Sequence, residues 1–239
     1  MAIATDVLVA GGGATGAGVA RDLTLRGVDV TLVERGGLTS GTSGRSHGLL
    51  HSGARYAEAD RVGAEECIAE NQILKDIAGA CIRDTGGLFV QLAEDDPDYF
   101  EAKRAACEEV GIPAETLDGD AARERVPGLA SDVERAFEVP DAVIYPSRLV
   151  AANAADARDH GAAVHPHAPV KDVLVEDGQV TGVQVGGAID DTVEADYVVN
   201  ATGAWAGQIG EMADVEVAVR PSKGVMTIMN VRQVDTVIN

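Results

Sequence analysis

Lysine is scarce in this sequence. Only four of the 19 basic residues are lysines, and 39 Asp and Glu residues leave a net charge of −20 over 239 residues. Such a charge repels nucleic acid and anionic lipid, so neither is an expected partner. The acidic residues are spread along the whole chain rather than gathered in one block. This distribution favours adaptation to a salty cytoplasm over the alternative, a local acidic interaction face.

The charge balance predicts marginal folding at low ionic strength, because the like charges repel one another in the compact state. Transfer from dilute buffer to about 1 M KCl, where the Debye length is only about 3 Å, should therefore raise the melting temperature. Circular dichroism at stepped KCl concentrations measures this. A melting temperature that stays the same across the series would contradict salt adaptation.

Cysteine is also rare. The three cysteines, Cys67, Cys81 and Cys107, are odd in number and include no Cys-x-x-Cys pair. That excludes a disulfide framework and the usual spacings of zinc and iron–sulfur sites, so we predict ordinary reduced thiols and no metal site.

Long apolar runs are absent as well. No stretch reaches the roughly 18 apolar residues of a membrane span, although 46% of the residues are hydrophobic and can form a core. The N-terminal segment Met1–Asp6 lacks the basic region and long apolar stretch of a signal peptide. We therefore expect a cytoplasmic chain without a membrane span.

The beginning of the chain reads as a βαβ unit, with a strand at Asp6–Ala10, a helix at Ala14–Gly27 and a strand at Val28–Glu34. Residues 35–55 are rich in Gly, Ser and Thr and predict an ordered loop with one short helical turn. The remaining predicted elements are helices at Asp60–Cys81, Asp98–Val110, Gly119–Arg125, Ser147–His160 and just after Gly203, and strands at Gly87–Leu92, Glu134–Val139, Val164–Pro166, Val170–Glu176, Gln179–Val185, Thr192–Asn200 and within a β-rich segment, Val215–Asn239.

This order of elements predicts an α/β fold of two interleaved domains. A Rossmann-like, dinucleotide-binding domain is expected at 1–85 and 147–214. A mostly antiparallel β domain, expected to hold the substrate, is predicted at 86–146 and 215–239.

A glycine pattern follows the first strand. Gly11, Gly13 and Gly16 have the spacing Gly-x-Gly-x-x-Gly between a predicted strand and a predicted helix, where dinucleotide binding requires it. The first glycine permits a tight turn, the second lets the backbone approach a pyrophosphate, and the third lets the helix pack closely on the strand. The helix dipole then favours the anion. A plain glycine-rich turn is the alternative, which this context disfavours.

Glu34 ends the second predicted strand, where a carboxylate can accept hydrogen bonds from an adenosine ribose and would repel a 2′-phosphate. These features do not separate FAD from NAD. Three others favour FAD: the apolar strand that runs into Ala201-Thr202-Gly203, the hairpin at 172–185 before it, and the small-residue loop after Glu34.

Residues 39–56 concentrate small residues, two histidines and two arginines within an acidic chain. The guanidinium forks of Arg45 and Arg55 suit anionic groups, with surface salt bridges as the alternative role. His51 is the candidate general base, because histidine accepts protons near neutral pH. A structural His51 and an exposed His47 are the alternatives.

The run Gly11–Tyr56 resembles the FAD-dependent glycerol-3-phosphate dehydrogenases of the D-amino-acid-oxidase superfamily, and most of all the A-type subunits of the anaerobic enzymes. The segments Gly44–Tyr56, Glu70–Lys75 and Arg220–Gly224 carry this resemblance, which extends over essentially the whole chain. Members of the family continue for well over a hundred further residues. We therefore expect a C-terminally truncated fragment that does not turn over alone.

The resemblance implies a set of cofactor and substrate contacts. Arg55, Tyr56 and Lys223 would face glycerol 3-phosphate, and Met226 stands where aerobic relatives carry a histidine, which leaves the base open. The residues expected at FAD are Gly11, Gly13, Ala14, Thr15, Gly16, Glu34, Arg35, Ser43, Arg45, Ser46, His47, Leu49, His51, Val170, Ala201 and Gly203.

The implied reaction is oxidation of sn-glycerol 3-phosphate to dihydroxyacetone phosphate, with electrons passed towards quinone through partner subunits at the inner face of the membrane. One alternative is another flavoprotein oxidoreductase of the superfamily, acting on a 2-hydroxy acid or an amine, since many functions share this fold. Another is a non-catalytic FAD-binding fragment. A third, a nicotinamide-binding domain, would be excluded by a yellow chromophore.

Overall fold

The computed structural model describes residues 3–220, 222–230 and 234–239. The helices in these ranges are α1 (Ala14–Leu25), α2 (Arg61–Ile77), α3 (Pro97–Glu109), α4 (Gly119–Arg125), α5 (Pro146–Asp159) and α6 (Ala206–Met212). The strands are β1 (Ile3–Ala10), β2 (Val30–Val33), β3 (Leu49–Leu50), β4 (Ile82–Arg83), β5 (Gly87–Leu92), β6 (Thr116–Asp118), β7 (Val133–Val139), β8 (Ala142–Ile144), β9 (Ala163–His165), β10 (Val170–Glu176), β11 (Gln179–Val185), β12 (Asp191–Asn200) and β13 (Val237–Ile238). None of the described helices has the length and apolar character that crossing a bilayer requires.

The chain divides into two compact units, Met1–Ser46 with Pro146–Val225, and His47–Tyr145 with Met226–Asn239. The predicted α/β fold class is confirmed, with one mixed and one mostly antiparallel part. The boundaries differ from the predicted ones. Residues 47–85 group with the second unit rather than the first, and residues 215–225 with the first rather than the second. The reason is packing: Ala64 and Ile68 of α2 share a core with Phe100 and Phe137.

The first unit is built on a six-stranded sheet in the order β10-β11-β12-β1-β2-β9. Strands β12, β1, β2 and β9 run parallel, while β10, β11 and β12 form an antiparallel meander. The four residues of β2 are all buried, as expected for a parallel strand covered on both faces.

Apolar layers cover both faces of this sheet. On one face Val9 and Leu32 pack with Ala20 of α1 and Ala157 of α5, and none of these four residues has any exposed surface. On the other face Leu8 packs against the meander and against Ile209 and Met212 of α6. Burying a whole Leu or Val side chain, such as those of Leu8, Val9 and Leu32, contributes about 1.5–3 kcal/mol, so both layers stabilise the strand ends that carry the glycine turn.

The second unit contains two small sheets, in the orders β13-β5-β7-β6 and β3-β8-β4. Its main core joins α2 and α3 to β7 through Phe100 and Phe137, whose rings meet edge to face at 5.2 Å. Asp60 caps α2 and Asp96 caps α3, each accepting a backbone N–H. Caps of this kind contribute about 1 kcal/mol.

The β-rich prediction for Val215–Asn239 is wrong in the described residues. Within that segment the structure has only β13 as a strand, and 215–220 and 222–229 have no regular structure. Alternating valines raise β propensity, but a strand forms only against a partner ladder, and no described strand pairs with these residues. Pro221, part of the segment that carries the family resemblance, lies outside the described residues.

Candidate functional site

The turn between β1 and α1 requires glycine at two positions. Gly11 has φ +119°, and a Cβ on it would lie 2.5 Å from the carbonyl oxygen of Ala201. A Cβ on Gly16 would lie 1.8 Å from the carbonyl oxygen of Gly11. The backbone of α1 is therefore in direct contact with the end of β1, and β1 with the end of β12, as the spacing predicts.

The N-terminus of α1 faces the loop that follows β2. The N–H of Ala14 donates to Ser43 Oγ at 2.9 Å, and a Cβ on Gly13 would lie 3.0 Å from the same oxygen. First-turn N–H groups have no partner within their own helix, so they are donors for a bound anion. The glycine leaves the backbone open to that anion.

Glu34 joins three segments around this turn. Its Oε2 accepts the N–H of Gly12 at 2.7 Å, and its Oε1 accepts the N–H of Gly36 at 2.8 Å and the hydroxyl of Ser40 at 3.1 Å. A carboxylate has about four acceptor positions, so one remains for a ligand hydroxyl. Glu34 thus shapes the loops as well as lining the site.

These segments enclose a cleft in the first unit, at the carboxyl ends of β1, β2 and β12, which is where parallel sheets bind ligands. The predicted site residues that line it are Gly11, Gly13, Ala14, Thr15, Glu34, Arg35, Ser43, Val170, Ala201 and Gly203. Sequence reasoning missed Ser40, Gly41, Thr42, Pro169, Thr202, Trp205, Gln208, Ile209 and Met212. Gly16, Arg45 and Ser46 belong to the same unit but do not line the cleft.

Arg35 and Trp205 form one wall of the cleft. The Arg35 guanidinium carbon lies 4.0 Å from the centroid of the Trp205 ring, and a Cβ on Gly41 would lie 3.2 Å from Cζ3 of that indole. Trp205 is the only tryptophan in the chain and follows Gly203 by two residues. That position was the one sequence signal that could have identified it.

Arg45 holds its own loop together. Its Nη1 donates to the carbonyl oxygens of Ser40 and Gly41, the latter at 2.8 Å, in a loop that also carries Ser43. Lys223 belongs to the first unit and is exposed in a segment without regular structure.

The second unit carries the other predicted residues, in the loop around β3. His47 Nδ1 accepts the N–H of Leu49 at 3.1 Å. The rings of His51 and Tyr56 meet edge to face at 5.4 Å. His51 Nδ1 is buried and has no hydrogen-bond partner among the described residues.

Burial lowers the pKa of His51, with Arg55 and His47 adding to the effect and the Asp141 carboxylate opposing it. The folded pKa lies below the ordinary value of 6.5, so below that value the unfolded chain binds more protons. The difference in free energy of unfolding between wild type and His51→Gln should be largest above about pH 6.5. It should be lost as the pH falls through the lowered pKa of the folded state. Urea unfolding in high salt at several pH values measures this, and a difference independent of pH would contradict it.

Arg55 begins a short chain of hydrogen bonds that the sequence did not reveal. Its Nε donates to Asn239 Oδ1 at 2.7 Å, and Asn239 Nδ2 donates to Asp141 Oδ2 at 3.0 Å. Asp141 Oδ1 accepts the N–H of Ser52 at 2.6 Å. Nothing in the local pattern around Asp141 or Asn239 marks either residue, because their contacts join segments far apart in the chain.

The arginines of the predicted site have neutral partners in an acidic protein. Arg35 contacts an indole, Arg45 two carbonyls and Arg55 an amide. Elsewhere, arginines such as Arg61 and Arg104 pair with glutamates. An arginine without an acidic partner keeps its charge available to an anionic ligand.

The DAO family model, described as FAD dependent oxidoreductase, matches residues 6–237. The A1 subunit of the anaerobic glycerol-3-phosphate dehydrogenase of Haloferax volcanii is 59% identical, over 98% of this chain and 42% of the relative. The corresponding A-type subunit of Escherichia coli is 46% identical, over 98% of this chain and 44% of the relative. The chain thus spans less than half the length of these curated relatives. The Haloferax relative fits the salt adaptation predicted from the acidic composition.

Solved structures share the fold. L-proline dehydrogenase from P. horikoshii has a TM-score of 0.79 at 26% identity, covering 92% of this chain and 58% of that one. Glycerol-3-phosphate dehydrogenase from Bacillus halodurans, complexed with FAD, has a TM-score of 0.65 at 24% identity, covering 87% of this chain and 36% of that one.

The residues present fit a flavin dinucleotide. Side chains at Gly11 and Gly16 would collide with the backbone that forms the cleft, and Gly13 leaves the start of α1 open to a pyrophosphate. Glu34 retains a free acceptor position for a ribose hydroxyl. With the match over residues 6–237, this cleft identifies the chain as a member of the DAO family of FAD-dependent oxidoreductases.

Proposed function

We propose that this chain is the FAD-binding part of a dehydrogenase that oxidises sn-glycerol 3-phosphate to dihydroxyacetone phosphate. The observation that carries the proposal is the 59% identity, over 98% of the chain, to one component of an anaerobic glycerol-3-phosphate dehydrogenase. FAD, when bound, supplies the acceptor for the hydride from the secondary alcohol carbon.

The first unit holds the cofactor in this proposal. Gly11, Gly13 and the first turn of α1 bind the pyrophosphate, and Glu34 binds the adenosine ribose. Arg35, Ser43, Val170, Ala201 and Gly203 line the same cleft and complete the cofactor contacts. The remaining predicted FAD contacts, Arg45, Ser46, His47, Leu49 and His51, stay predictions.

The second unit recognises the substrate through Arg55 and Tyr56. Lys223 stays a predicted substrate contact that rests on the family resemblance alone. A phosphate dianion must bind against a net charge of −20, so an arginine free of acidic partners is needed. Arg55 meets that requirement, since the only hydrogen bond that its side chain makes to a described residue goes to a neutral amide.

His51 accepts the hydroxyl proton of the alcohol. Its lowered pKa keeps the imidazole neutral near pH 7, the state in which histidine takes up a proton. This role stays a prediction, with a structural His51 as the alternative.

Partner subunits carry the electrons onward to quinone in this proposal. The relatives are named as single lettered components of an enzyme, which supports further chains in the complex. A cytoplasmic position at the inner face of the membrane, reached through those partners, follows from the same proposal.

A second candidate is oxidation of an amino acid. The similarity to L-proline dehydrogenase favours it, and a glycine oxidase from Bacillus cereus also has a TM-score of 0.70 at 26% identity. Arg55 would bind a carboxylate as readily as a phosphate, because the guanidinium fork matches both.

A substrate panel separates the two candidates. The complete, FAD-loaded enzyme that carries this chain is supplied, in molar KCl, with an artificial electron acceptor and with glycerol 3-phosphate, glycerol, L-proline or glycine. The proposal predicts turnover with glycerol 3-phosphate and none with glycerol, which lacks the phosphate. Turnover with an amino acid alone would replace the proposal by the second candidate.

The single tryptophan gives a direct test of the cleft. Trp205 lines it, so a ring ligand placed there should change the emission of the indole. ADP is a better probe than FAD, because the flavin ring of FAD can quench the indole from a distance. ADP lacks that ring, so it changes the emission only by contact with Trp205. We expect ADP and FAD to change the emission of wild type and ADP to leave that of Gly16→Ala unchanged. If saturating ADP has no effect on FAD-free wild type that can still be reloaded with FAD, the adenosine half does not lie at Trp205.

A further inference from the structure

Asp141 is a buried acid that the proposed chemistry has not used. It is 2% exposed and lies between β7 and β8, where its two oxygens accept from Ser52 N and from Asn239 Nδ2. A buried carboxylate is costly unless it is hydrogen-bonded, and these two bonds offset that cost. They also connect the acid to the loop that carries His51 and Arg55.

The direction of this chain of bonds is set by the acid. An ionised carboxylate only accepts hydrogen bonds, so Asn239 must present its NH2 group to Asp141. Its amide oxygen then faces the other way and accepts from Arg55 Nε at 2.7 Å. Asp141 therefore determines which end of Asn239 the arginine meets.

The consequence for Arg55 is twofold. With Nε held, its two terminal nitrogens make no hydrogen bond or ion pair to any residue the structure describes, so the outer edge of the fork is open. The group that holds it is neutral, so the charge is not cancelled. An aspartate in direct contact would give the same geometry and remove the free charge.

We propose that Asp141 is a positioning residue for anion recognition, which orients the Arg55 guanidinium through Asn239 while the neutral amide keeps the arginine charge free for a phosphate. The inference rests on the proposed function and assigns the specificity of that site to the pair of Asp141 and Asn239. The same acid holds the Ser52 N–H and thereby the loop beside His51.

Two variants separate geometry from charge. In Asp141→Asn the introduced amide oxygen accepts the Ser52 N–H, and the introduced NH2 group faces the NH2 group of Asn239. Two donors then meet, so the chain of hydrogen bonds from Asp141 to Arg55 is broken. Combining Asp141→Asn with Asn239→Asp restores every donor–acceptor match but places the negative charge directly on Arg55. Asp120→Asn, at an acid that is 97% exposed, makes the same charge change and serves as control.

Two readouts apply to the FAD-loaded protein in molar KCl. The NMR signal of Arg55 Nε–H reports whether the guanidinium is held, and titration calorimetry with inorganic phosphate reports affinity. Asp141→Asn should broaden or abolish the signal and weaken phosphate binding about tenfold to a hundredfold. The double variant should recover the signal while phosphate binding stays weak, and Asp120→Asn should match wild type.

An Asp141→Asn variant that keeps both the Arg55 signal and phosphate affinity would overturn the inference. So would a double variant that regains full phosphate affinity, because the charge would then not matter. Should Asp141→Asn fail to fold, Asn239→Ala breaks the same chain of hydrogen bonds. It should also lose the Arg55 Nε–H signal and weaken phosphate binding. If wild type binds no phosphate and does not oxidise glycerol 3-phosphate, the proposed function fails, and the Arg55 signal still decides whether Asp141 orients the arginine.

Discussion

Replacing Gly16 by alanine should abolish stable retention of FAD. The new methyl carbon would lie 1.8 Å from the carbonyl oxygen of Gly11, so α1 must move away from the end of β1. That movement displaces the first-turn N–H groups that would bind the pyrophosphate. We expect the FAD affinity to fall at least about a hundredfold and the free energy of unfolding by about 1–3 kcal/mol.

Gly18 provides a matched control two residues further along the same helix. A Cβ at Gly18 meets no atom within 4 Å, so alanine there should raise the free energy of unfolding by about 0.5–1 kcal/mol and leave FAD binding unchanged. Flavin absorbance after gel filtration and urea unfolding in molar KCl measure both quantities. A Gly16→Ala variant that retains FAD like Gly18→Ala would contradict the assignment of this turn.

Removing the Arg55 guanidinium should raise the Michaelis constant for glycerol 3-phosphate about tenfold to a hundredfold. The loss of a charge-assisted contact typically costs about 1.5–3 kcal/mol, and the free guanidinium edge of Arg55 would make that contact. The turnover number should change less, since the arginine binds the phosphate in both the ground state and the transition state.

The matched control for this change is Arg61→Ala, which removes the same charge six residues away. Arg61 is exposed and pairs with Glu109 and Glu65, so its loss should leave the Michaelis constant unchanged. Steady-state kinetics with an artificial acceptor measure both variants. Equal constants for wild type and Arg55→Ala would remove Arg55 from the substrate site.

Local patterns predicted most of the first unit. The burial of β2 and of the last four residues of β1 appears in the sequence as short, mostly apolar runs. The glycine spacing at Gly11–Gly16 stands between a predicted strand and a predicted helix, the context in which it indicates a dinucleotide turn. The end of the chain was misjudged because alternating valines indicate β propensity without specifying a partner strand. Short strands such as β6 and β8 escaped prediction, since three residues carry too little periodicity.

The candidate site likewise contains residues that local sequence patterns mark and residues that only the structure reveals. Residues in the glycine turn and in the loop at 39–56 were predicted because spacing and composition mark them, and of the predicted loop residues Ser43 lines the cleft. Trp205, Asp141 and Asn239 were missed, because each acts through a contact between segments distant in sequence. The neutral partner of Arg55 is likewise visible only in the structure, although it decides whether that arginine is available to an anion.

Absorbance spectroscopy of the complete enzyme that carries this chain, purified in molar KCl, shows whether it binds FAD and reduces that FAD with glycerol 3-phosphate. Spectra from about 300 to 550 nm are recorded before and after anaerobic addition of glycerol 3-phosphate. We expect flavin bands that bleach with glycerol 3-phosphate and persist with glycerol or L-proline. Folded protein without flavin bands, or bands that bleach only with an amino acid, would contradict this expectation.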